Sequence, residues 1–165
     1  MSSYKTKVGI YLSDFNPFFS KHRETIGEAL KEGIGTVWVV PKEGGEVPID
    51  ERFWMAHYEL EYVEEARVLV VTTESGQQEE VEQLKKIIRG YGSRNFEFWL
   101  IGKTEEIENW KDGDWILANF KILEKDTVTG EEEVRELIQE KKWGDLKGLV
   151  CPKTIRYIKK HELYS

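Results

Sequence analysis

"GIYLSDFNPFFSKHRETIGEAL", residues 9–30, decides how this chain is read. A short apolar strand runs into a Pro-containing loop, and a helical stretch from Ser20 to Lys31 carries Ile26, Ala29 and Leu30 on one side. Helix N-termini attract anions because their unpaired N–H groups and their dipole favour negative charge. Ser20 is placed to cap this helix, and Lys21, His22 and Arg23 put basic side chains in its first turn. The dipole disfavours cations at that end unless something anionic offsets them. The alternative is that these side chains point into water or pair with Asp14. The loop also lacks the glycines that usually let backbone N–H groups approach a phosphate.

Outward from this stretch, strand and helix patterns alternate. The segment 36–40, TVWVV, is a second strand stopped by Pro41, and the Gly- and Pro-rich loop 41–48 follows it. The segment 49–66 reads as a helix with Asp50 at its N-cap and Phe53, Met55, Ala56, Leu60 and Val63 as its apolar contacts. A near-continuously apolar strand is expected at 67–73, as a sheet covered on both faces requires. Val81, Leu84, Ile87 and Ile88 place a polar helix at 77–92, and 96–102 is a fourth strand. One or two helical turns are expected at 104–110, and one or two further strands within 114–126. Helices are expected at 131–141 and from Lys153 to His161. The expectation is an α/β, Rossmann-like parallel sheet of five to six strands with helices on both faces, formed by residues 1–165 as a single domain. In such sheets ligands bind beyond the carboxyl ends of the strands, so the loop after strand 1 is the first place to look.

With 165 residues, 39% hydrophobic, the chain can bury a substantial core. A formal charge of −7 disfavours broad attachment to nucleic acid or to an anionic membrane, although a local cationic pocket remains compatible with it. The single cysteine, Cys151, cannot form an intrachain disulfide and suits a reducing compartment. No apolar run approaches the roughly 20 residues that span a bilayer, and residues 1–7 contain no signal-like apolar region. The expected setting is cytoplasmic.

The stretch Gly9-Ile10-Tyr11-Leu12-Ser13-Asp14-Phe15-Asn16-Pro17-Phe18-Phe19-Ser20-Lys21-His22 resembles, without a gap, the signature G-[IL]-F-G-G-[ST]-F-D-P-[IVF]-H-x-G-H. That signature belongs to the cytidylyltransferase-like superfamily, and within it to the nicotinate and nicotinamide mononucleotide adenylyltransferases. Further matches follow in the family's order. VWVVP (37–41) resembles its second strand, and Arg52 and Met55 match its H-R-x-x-M helix start. FWLIGKTEEIENW (98–110) keeps Gly102 and places Trp110 near the family tryptophan. The C-terminal GLVCPKTIRYIKKHELYS resembles L-V-P-x-x-V-x-x-Y-I-x-x-H-x-L-Y, with Cys151 inserted before the proline and one residue fewer before Tyr157.

The resemblance implies adenylyl transfer from ATP to a pyridine mononucleotide, a step of NAD biosynthesis, with Mg²⁺ accompanying the ATP. Such a protein positions two anionic substrates and neutralises charge. It assigns His22 and Lys21 to catalysis on the phosphates. Tyr11, Ser13, Asp14, Asn16, Arg23, Gly102, Thr104, Trp110 and Arg135 are then the phosphate- and nucleotide-binding positions. Small-molecule nucleotides are the implied partners, and a homo-oligomer stays open.

The centre departs from the pattern. The family's first histidine is Phe19, its close-approach glycines are Leu12 and Ser13, its small hydroxyl residue is Asp14, and its aspartate is Asn16. The second phosphate motif, I-S-S-T-x-I-R, aligns its arginine with Arg135 but its hydroxyl positions with Gly130, Glu131 and Glu132. As a helix start, with Thr129 as cap and three acids in the first turn, that segment is good. As a triphosphate cradle it is poor, because like charges about 4 Å apart repel by roughly 4 kcal/mol at an effective dielectric near 20. The alternative reading is a non-catalytic sensor, regulator or interaction module on the same fold. A third is a nucleotidylyltransferase of altered specificity in which Lys21 replaces the missing histidine.

Other features read as structural. His57 and His161 belong to helix surfaces, and the basic last helix, with Lys153, Arg156, Lys159 and Lys160, reads as a solvated face that compensates its dipole. Scattered histidines and one cysteine show no metal-ligand spacing. The tryptophans are expected mostly in the core, with Trp110 and Trp115 as candidates to wall a base-binding cleft.

Overall fold

In the computed structural model, which describes residues 6–42, 46–68, 96–105 and 120–165, the chain enters through β1 (Thr6–Ser13). It continues through α1 (Ser20–Lys31), β2 (Thr36–Pro41), α2 (Ile49–Glu59) and β3 (Ala66–Val68). Then follow β4 (Phe96–Gly102), β5 (Phe120–Glu124), α3 (Glu131–Gln139), α4 (Trp143–Leu146) and α5 (Pro152–His161). The strands form one five-stranded sheet in the order β3-β2-β1-β4-β5, and every pairing is parallel. This is the expected Rossmann-like α/β architecture.

Period-two alternation sends each strand's side chains to both faces, and both faces are buried. Tyr11, Val37, Val39 and Ile101 share one core with Phe15, Phe18, Ile26, Ala29, Ala56 and Leu60. On the opposite face Val8, Ile10, Trp38, Val40, Phe98 and Leu100 are buried as well. Gly9 is needed where α1 returns to the sheet: a Cβ there would sit 2.6 Å from Ile101 Cδ1 and 3.1 Å from Ile34 Cγ2. A second cluster joins Phe19, Val47 and Met55 to Val134, Ile138, Leu146, Val150 and Ile158, so helices α2 to α5 pack over the loop that follows β1.

Several boundaries differ from the sequence expectation. Helix α2 ends at Glu59 instead of near residue 66, because Leu60 is buried at the turn and the chain must reverse to lay Ala66–Val68 beside β2. Its N-cap is Pro48, with Asp50 inside the first turn. Phe19, not Ser20, occupies the N-cap of α1, and Gly130, in a left-handed conformation, takes the N-cap of α3 that Thr129 was expected to fill. Pro152 opens α5 one residue early, as its missing N–H and fixed φ favour. The short α4 had no expectation. Of the described tryptophans only Trp38 is buried, and Trp54 is 43% exposed. Most of the expected third strand, the helix at 77–92, and Trp110 and Trp115 lie outside the described residues.

Candidate functional site

The strand order reverses between β1 and β4, which puts the switch point beside the loop leaving β1. That loop is held from below by Arg52 of α2, only 1% exposed, which donates from Nη1 to the Asp14 carbonyl (2.6 Å) and from Nε to the Val47 carbonyl (3.0 Å). Phe15 adopts a left-handed conformation (φ 48°), and a cis Asn16–Pro17 bond turns the chain toward α1.

Asn16 gathers three groups from distant parts of the chain. Its N–H donates to Glu131 Oε1 (3.3 Å), its carbonyl accepts from Arg135 Nη1 (2.6 Å), and its side-chain oxygen accepts from the Tyr164 hydroxyl. Burial, opposed by Arg52 and Arg135 and reinforced by Glu131, raises the Tyr164 pKa, so the phenol stays a donor. Sequence reasoning did not single out Tyr164 as a site residue. Its only signal there was its place in the C-terminal resemblance.

His22 is fully buried. The rings of Phe15, Phe18 and Phe19 surround it, each 5.0 Å away between centroids. Its Nδ1 accepts the Phe19 N–H (3.1 Å), which leaves the ring proton on Nε2. Nε2 faces Glu131 Oε1 at 3.1 Å, out of line for a hydrogen bond. Glu131 Oε2 lies 4.0 Å from Arg135 Nη1. The carboxylate of Glu131 thus stands at the N-terminus of α3, against the backbone N–H, the imidazole and the guanidinium that an anion at this corner would meet.

The α1 terminus is closed in a related way. The Ser20 N–H donates to the Leu149 carbonyl (2.8 Å) from the turn before α5. Phe19, 2% exposed, packs below Gly130: a Cβ on that glycine would meet Phe19 Cζ at 3.3 Å and Lys21 Nζ at 3.5 Å. Lys21 is exposed and borders a polar groove of about 410 Å³ whose other walls include Glu24, Glu28, Glu124 and Asp126. That groove is richer in carboxylates than in cations.

The structure therefore brings Asn16, His22 and Arg135 together, with Lys21 beside Gly130. Arg23 lies apart from them: its Nε points to buried Glu59 Oε1, 3.7 Å away, because α1 turns it toward α2 and α5. Tyr11 is buried edge-on to Phe15, and Asp14 is exposed with only its carbonyl held. The Ser13 carbonyl accepts the Lys42 N–H (2.9 Å). Gly102 and Thr104 are tied to β5, through the Lys125 N–H (3.0 Å) and Glu124 Oε2 (2.8 Å). Trp110 lies outside the described residues. Among the described residues no group of three or more His, Cys, Asp or Glu could hold a metal ion.

No helix among the described residues is long and apolar enough to cross a membrane. No sequence model of a known family matches the chain, and no curated protein matches it. Solved structures do. Nicotinic acid mononucleotide adenylyltransferase from Plasmodium falciparum, complexed with APC, superposes with a TM-score of 0.67 at 17% identity, covering 96% of this chain and 97% of that one. Its complex with NaAD gives 0.67 at 16% identity over 98% of each chain. A protein from Vibrio parahaemolyticus, provisionally assigned as a nicotinate-nucleotide adenylyltransferase, gives 0.69 at 14% identity over 96% and 95%. The likeness runs nearly end to end, and it establishes that this chain has the nicotinate mononucleotide adenylyltransferase fold.

Proposed function

We propose that this protein is a nucleotidylyltransferase-like module that does not perform efficient adenylyl transfer and serves as a non-catalytic regulator or sensor. The chemistry of its ancestry is transfer of an adenylyl group from ATP to nicotinate or nicotinamide mononucleotide. One observation carries the reading: the Glu131 carboxylate already occupies the Asn16 N–H and faces His22 Nε2. A triphosphate brought to this corner meets that charge at close range, which costs roughly 4 kcal/mol, about a thousandfold in affinity.

The remaining residues act in the same sense. The Phe19 side chain supplies neither a charge nor a donor, and the Phe15, Phe18 and Phe19 rings keep His22 out of water. Arg135 is engaged by the Asn16 carbonyl. Losing one preorganised donor typically costs about 10²–10³ in rate.

The test is calorimetric titration with ATP–Mg²⁺ and with nicotinate mononucleotide, followed by a pyrophosphate-release assay with both present. The expected result is no turnover above the protein-free blank. Turnover that disappears in His22→Ala or Lys21→Ala would overturn the reading and restore the enzyme.

A further inference from the structure

Away from this corner, an open groove of about 360 Å³ runs along α5, lined by Lys153, Arg156, Tyr157, Lys160 and His161 together with Tyr58 of α2. The five α5 residues fall at i, i+3, i+4, i+7 and i+8, so one helix face presents all of them. Three rings make the wall: Tyr157 lies 4.3 Å from His161 and 5.6 Å from Tyr58 between centroids. The Tyr157 ring is anchored, since its hydroxyl donates to Glu51.

The charges on α5 divide into engaged and free. Lys153 Nζ pairs with Glu61 Oε2 at 2.6 Å. Lys159 Nζ lies over the Trp143 ring, 4.8 Å from its centroid. Arg156 and Lys160 are exposed and have no ion pair among the described residues. Of the neighbouring carboxylates, Glu61 pairs with Lys153, Glu51 accepts the Tyr157 hydroxyl, and Asp50 acts on Tyr157 through its charge. Dipole compensation accounts for Lys159, Lys160 and His161 in the last turn. It does not account for Arg156, an exposed cation one turn earlier beside fixed rings in a chain of net charge −7.

We propose that this groove binds a small aromatic phosphate, its ring against Tyr157 and His161 and its phosphate between Arg156 and Lys160. A guanidinium can meet phosphate oxygens with two parallel hydrogen bonds, and an ammonium adds a second point charge. The volume lies in the range of small-molecule sites. This inference concerns a separate surface and does not rest on the proposed function.

The experiment is titration of the full ¹⁵N-labelled chain with phenyl phosphate, inorganic phosphate and phenol, followed through its amide resonances. The expected result is shifts at Tyr58 and along Lys153–His161, with phenyl phosphate binding at a Kd of about 1 mM or tighter and at least about tenfold better than either half-ligand. Arg156→Gln with Lys160→Gln should weaken phenyl phosphate about tenfold or more while leaving the rest of the spectrum in place, since both side chains are exposed. Equal binding of phenyl and inorganic phosphate would overturn the proposal. So would shifts confined to other residues, or an unchanged affinity in the double variant.

Discussion

Glu59 Oε2 accepts hydrogen bonds from the Cys151 N–H and the Thr154 hydroxyl, each at 2.7 Å, so the N-terminus of α5 is capped by a carboxylate from the end of α2. Cys151, the residue at the N-cap, makes no side-chain cap of its own. A remote acid supplies both the hydrogen bonds and the charge that a helix start favours. The same carboxylate draws in Arg23, which explains why that cation is absent from the phosphate corner.

Glu59→Ala should therefore lower stability by about 2–3 kcal/mol, from a lost cap plus buried donors left without an acceptor. Urea unfolding followed by circular dichroism measures it. A loss below about 0.5 kcal/mol would show that the contact only decorates the interface.

The Cys151 thiol should be slow to alkylate. Burial, and then its contact with Glu59, raise its pKa above the ordinary 9.0, against smaller opposing effects from Thr154. A raised value means that the thiol form is favoured in the folded chain. Its contribution to stability is complete below the unfolded thiol pKa and fades as pH climbs through the folded one. Labelling with iodoacetamide at pH 8 should run slower than for glutathione and catch up only in the unfolded protein.

Gly130→Ala should destabilise by about 1–2 kcal/mol, because φ of 110° suits only glycine and the added Cβ would press on Phe19. Thermal unfolding gives the value. An unchanged midpoint would mean that the helix start can shift to another cap.

Glu131→Ala should leave the Asn16 N–H without its acceptor, costing about 1–3 kcal/mol in anion-free buffer. Pyrophosphate should restore the lost stability in this variant and bind it more tightly than the wild type, by up to about 10³-fold. Differential scanning fluorimetry across a pyrophosphate series reads both effects. Equal responses of the two proteins would show that the carboxylate does not compete with anions.

Much of the fold was legible because it depends on local periodicity. The runs 7–12, 36–40 and 96–102 are apolar along their length, and β1, β2 and β4 cover them almost to the residue. Helix ends were less legible. Whether Glu59 continues a helix or turns away depends on Arg23, Cys151 and Thr154, at least 36 positions off in sequence, and no propensity encodes that.

By itself, then, the order of residues determined a parallel α/β sheet, the position of its switch point, and the absence of glycines and of a second histidine where a phosphate loop has them. Only the folded chain decided what those replacements do. It turned His22 inward among three phenylalanines, set Glu131 on the Asn16 amide, and closed the α1 terminus with the Leu149 carbonyl. Hydrophobic pattern is carried by neighbours along the chain, whereas the electrostatics of a site depend on distances of a few ångströms between residues more than 100 positions apart.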